Sequence, residues 1–96
     1  MDETLERIRK ILSERFEPLH LDLVDDSASH AGHAGARAGG GHFIVTLASH
    51  RFEGLTLIEQ HRMVNAALRA MIGREIHALG LHTFTPGRWR ETHGAD

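Results

Sequence analysis

The sequence predicts an α+β fold, a three-stranded sheet with helices packed on one face. Three observations carry this prediction. Apolar residues recur at helical spacing in two separated stretches and form strand-like runs in three others. These stretches alternate as helix, strand, strand, helix, strand and a short last helix. Ninety-six residues bury one modest core and leave no room for two lobes with a deep cleft. A helix layer on a small sheet hides such an apolar inventory.

The elements follow in order. Leu5, Ile8, Ile11, Leu12 and Phe16 lie on one helical face, with Glu6, Arg7, Arg9 and Lys10 between them, and Pro18 ends the helix. Leu19, Leu21 and Leu23 then alternate with His20, Asp22 and Val24, as in a half-buried strand. Residues 26–41 are small, glycine-rich and without period, which predicts a surface loop. His42 to Leu47 is β-branched and apolar, a second strand.

A turn is expected near Ser49–Gly54. Thr56 with Glu59 three residues on forms a capping-box pattern that opens a helix. Leu57, His61, Val64, Leu68 and Met71 are expected on its inner face, and Gly73 as its stop. Ile76 to Thr83 reads as the third strand. Thr85 followed by Pro86 starts a short last helix bearing Trp89. The reading is one domain over residues 1–90 with a short tail, 91–96, and no internal repeat.

Composition narrows the chemistry. With no cysteine there is no disulfide, thiolate nucleophile or thiolate metal site. Residues 1–29 carry eight acidic and four basic groups; residues 50–90 carry six arginines against three glutamates. The whole chain has a net charge of −2, which disfavours a globally basic nucleic-acid binder. No apolar run is long enough to span a membrane, and the first residues lack a secretory pattern, so a cytoplasmic protein is expected.

No serine stands in a nucleophile elbow, and there is no phosphate-binding loop or dinucleotide fingerprint, so the chain is not expected to be an enzyme. Gly32 to Gly35 spells GxxG, but between two strands instead of two helices. Nine histidines are the conspicuous feature. His61 fits a semi-buried helix position. His30, His33 and His42 lie in or at the end of the loop, where neutral imidazoles suit a borderline metal. Strand alternation puts His77 on the side of Leu79 and Leu81, and both a partly buried structural histidine and a ligand stay open there.

Several segments resemble the BolA family. They are Asp25-Asp26-Ser27, His42-Phe43, Phe52-Glu53-Gly54, Gln60 to Asn65 and, above all, Ile76 to Pro86 with Trp89. The resemblance runs from about Leu5 to Arg90. It implies a class II KH-like fold, α-β-β-α-(α)-β-α, with a short extra turn before the last strand, near Met71–Arg74. It also implies a monothiol glutaredoxin partner of the CGFS type and a shared [2Fe–2S] cluster held partly by the partner's cysteine and glutathione.

By that resemblance His77 is one ligand. A loop histidine is the other: His33 first, then His30, then His42. Imidazole ligands raise a cluster's potential and are lost on protonation. Arg62, Arg74, Arg88 and Trp89 are the candidates for a partner or nucleic-acid surface, and self-association stays open. The rival reading is a DNA-binding regulator of stress response and cell shape, whose affinity would fall steeply with salt. A third is a zinc or nickel carrier that binds metal tightly by itself.

Overall fold

The computed structural model describes residues 3–26 and 40–93. Helix α1 spans Glu3–Phe16, strand β1 His20–Asp25 and strand β2 Gly41–Ala48. A 3-10 turn, His50–Phe52, leads to helix α2, Leu57–Ala67. Strand β3, Ile76–Phe84, and helix α3, Pro86–His93, complete the chain. The fold class and element order are those predicted, and the last helix continues through residues 91–93.

The sheet order is β1-β2-β3, with β1 antiparallel and β3 parallel to the central β2. A parallel neighbour requires a crossover, and α2 supplies it. Phe43, Val45 and Leu47 of β2 project to one side, where Ile8, Leu12 and Phe16 of α1 and Val64 of α2 meet them. Phe52, Leu68, Met71 and Ile76 close this core. The other side of β2 carries His42, Ile44 and Thr46, all partly exposed.

Local chemistry sets the boundaries. Glu17 takes a left-handed conformation (φ 46°) after α1, and Pro18 prevents its continuation. Ser49, fully buried, donates its hydroxyl to the Phe16 carbonyl at 2.6 Å and accepts from the Arg51 amide. The end of α1 is thereby fastened to the turn after β2. The capping box is present: the Thr56 hydroxyl accepts from the Glu59 amide, and the Glu59 carboxylate accepts from the Thr56 amide.

Two expectations on α2 change. Leu57 is 58% exposed instead of facing inward, and Gln60 is buried in its place. Gln60 is tolerated there because its amide donates to the Leu55 carbonyl and its oxygen accepts from the Thr83 hydroxyl. The helix also ends at Ala67, well before Gly73. Hydrogen-bonded turns fill residues 68–75, and Gly73, at φ 86°, donates to the Ile76 carbonyl at the final bend. His61 is half-buried, as its helical position suggested.

Candidate functional site

The site lies where β2 begins beside β3. Gly41 pairs with Ile76 but His42 pairs with Ala78, so His77 has no opposite residue. Such a one-residue bulge re-aims a side chain. Ile76 keeps to the core at 1% exposure, while His77 is turned outward. This corrects the alternation reading, which put His77 beside Leu79 and Leu81: the bulge breaks the period at that residue. The His77 ring instead meets His42, with centroids 5.3 Å apart and planes tilted by 44°.

Backbone packing holds this pair. The Gly41 amide donates to the Glu75 carbonyl at 3.0 Å. Gly40 lies so close to β3 that a Cβ there would stand 2.7 Å from the His77 Cβ and 2.9 Å from its nitrogen. The end of the glycine run thus lets the incoming chain press against His77. From the helix layer, the Arg7 guanidinium pairs with the Glu75 carboxylate, two residues before His77. The Glu75 amide and then Arg7 hold that carboxyl below its ordinary pKa.

Two imidazoles at this spacing offer two nitrogen donors of a borderline type. Among the described residues no group of three histidines, cysteines or acids is placed to enclose a metal ion. Two imidazoles alone do not fill a coordination shell, so an ion held here would need further ligands from outside the described residues. A chain without cysteine cannot itself supply the four thiolates that ordinarily hold an iron–sulfur cluster. His30 and His33 lie outside the described residues.

The remaining candidates are dispersed. Arg74 sits in the turn beside the histidine pair, and its carbonyl faces Gly40. Arg62 is exposed on α2. Arg88 and Trp89 belong to α3, at the far end of β3. Trp89 stacks between His20 (4.2 Å) and His93 (3.7 Å) and meets the Phe84 edge at 5.2 Å. Gly40, Arg7 and Glu75 escaped the sequence reading. Only the unbroken glycine run ahead of His42 hinted at a close approach.

A family model described as BolA-like protein matches residues 12–88. The human BolA-like protein 1 is 40% identical over 89 residues, covering 93% of this chain and 63% of that protein. The chain thus spans less than two thirds of this relative's length. The protein of Vibrio cholerae called DNA-binding transcriptional regulator BolA is 38% identical over 84 residues, covering 88% of this chain and 76% of that one. Among solved structures, BolA1 from Arabidopsis thaliana superposes with a TM-score of 0.78 at 35% identity, covering 91% of this chain and 96% of that one.

Proposed function

The chain belongs to the BolA family, and on that premise we propose that it is a cytoplasmic adaptor that pairs with a monothiol CGFS glutaredoxin and co-ligates a [2Fe–2S] cluster. The supporting observation is the outward turn of His77 onto His42 at a bulge, which presents two imidazoles and, among the described residues, no enclosed metal site. His77 is one ligand. His42 stands nearest to it among the described histidines, and His33 or His30 of the intervening loop are the alternatives for the second place. The shared cluster supplies a one-electron couple and a transferable iron–sulfur unit. This chain contributes ligands and a docking face, with no turnover of its own.

Anaerobic reconstitution of a CGFS glutaredoxin with glutathione, with and without this protein, tests the reading by visible circular dichroism. The expected result is a new spectrum that requires the wild-type chain and is lost in His77→Ala. Parallel His30→Ala, His33→Ala and His42→Ala variants identify the second ligand. A glutaredoxin spectrum unchanged by the added chain removes the mechanism.

A second reading rests on the name of the Vibrio relative, a DNA-binding transcriptional regulator. Arg62, Arg69 and Arg74 are exposed on α2 and the turn after it. Fluorescence anisotropy on duplex DNA should then show affinity falling steeply with salt, with a shallower slope for Arg62→Ala or Arg69→Ala. Binding too weak to measure at low salt would exclude it.

A further inference from the structure

A pocket of about 330 Å³ opens at the other end of β3, between the first turns of α2 and α3. Leu55, Leu57 and Phe84 give it apolar walls, and Arg88 is the one charged residue among its described lining. Its polar floor groups are already engaged: the Gln60 amide donates to the Leu55 carbonyl, and the Thr83 hydroxyl donates to the Gln60 oxygen. The floor therefore favours an apolar side chain over a polar ligand.

Beside the pocket, Leu57 and Ile58 are 58% and 64% exposed, more than any other large aliphatic side chain described. Neither side chain takes part in capping the helix, which Thr56 and Glu59 do. The Arg88 side chain is 69% exposed, and its described carboxylate neighbour, Glu91, stands off at 3.9 Å. The guanidinium thus has most of its donors available to an outside anion.

We propose that this pocket is a docking site for a short acidic peptide segment of a partner protein. A large apolar side chain of the segment fills the space between Leu55, Leu57 and Phe84. A carboxylate one or two residues away meets Arg88. Charge complementarity selects this occupant, because the described lining pairs an apolar wall with the cation of Arg88 and includes no carboxylate. The site goes beyond the cluster-sharing reading and is spatially separate from it. His77 and Phe84 are seven strand residues apart, roughly 23 Å at about 3.3 Å per residue. An adaptor with ligands at one end of β3 and a peptide pocket at the other can hold two partners at once.

The test is selection of random dodecapeptides displayed on phage against the full chain, followed by titration of a labelled selected peptide. The expected peptides share a large apolar residue next to Asp or Glu. Their affinity falls on the order of tenfold in Leu57→Lys and in Arg88→Glu, and is unchanged in His77→Ala. Both altered side chains are exposed, and unchanged thermal midpoints confirm that the variants fold. Failure of the His77 reading leaves these results untouched, so the two ideas fall separately.

Absence of enrichment, or peptides indifferent to Leu57 and Arg88, overturns the proposal. A wild-type dimer in sedimentation that Leu57→Lys dissociates assigns the face to a second copy, and also overturns it. Duplex DNA that binds more tightly to Leu57→Lys and more weakly to Arg88→Glu assigns it to nucleic acid, with the same consequence.

Discussion

Replacing Gly40 by alanine tests whether the approach to β3 is as close as described. The added Cβ would lie 2.7 Å from the His77 Cβ, 2.9 Å from the His77 nitrogen and 3.0 Å from the Arg74 carbonyl oxygen. Carbon atoms in good contact stand about 3.5–4.0 Å apart. Two of the three neighbours are backbone atoms and the third is fixed to one, so no rotamer change relieves the clash. The chain must shift by several tenths of an ångström or more. Overpacking of this kind costs about 1–3 kcal/mol. Alanine also restricts the unfolded chain, which offsets about 0.4–1 kcal/mol.

The net expectation is a loss of about 1–2 kcal/mol, or roughly 5–15 °C in thermal midpoint for a domain of this size. Thermal and urea unfolding followed by circular dichroism measure it. Gly87→Ala is the control: a Cβ there meets nothing within 4 Å. Its site in α3 should gain up to about 1 kcal/mol. A Gly40→Ala protein as stable as wild type would refute the packing described for the histidine pair.

Three further outcomes follow from the same structure. Thr83→Val leaves the buried Gln60 oxygen without its donor, and urea unfolding should register a loss of about 1–3 kcal/mol. Adding Gln60→Leu to that variant should recover part of it. Thr56→Ala removes one half of the capping box and should cost about 0.5–2 kcal/mol, read as a lower urea midpoint. Glu75 has its folded-state pKa lowered, so its contribution is present above the ordinary carboxylate range and lost as pH falls through the folded-state value. Wild type should therefore lose more stability than Glu75→Gln between roughly pH 6 and pH 3; parallel curves would show that the pairing with Arg7 carries no linkage.

Helix starts were the most legible part of the fold. Thr56 with Glu59, and Thr85 with Pro86, are local signals, and each element begins where they stand. Strand existence was equally plain from the apolar runs around Leu21, Val45 and Leu79. What escaped depends on residues distant in sequence. Gln60 is buried only because Thr83 stands opposite, and Leu57 is left outside as a result. The early end of α2 reflects Leu68 and Met71 turning into the core through a compact bend, which helical period alone does not exclude.

For the site, His77 could be named but not oriented. Its orientation follows from a bulge, a property of pairing between strands and not of either strand by itself. The nearness of His42, third in the order that the family resemblance implies, has the same origin.

The parallel pairing of β2 with β3 also bears on how the molecule matures. His42 and His77 are 35 residues apart, and only the crossover through α2 brings their rings together. Pairings of such separation are entropically costly to close and tend to form late. The β1–β2 hairpin and α1 can collapse earlier while one imidazole still lacks the other. A nascent or partly unfolded chain therefore presents the two imidazoles separately, and the paired arrangement arises with the completed sheet. The meeting of the two rings is in this way coupled to completion of the sheet: the histidine pair exists only once the last long-range pairing has formed.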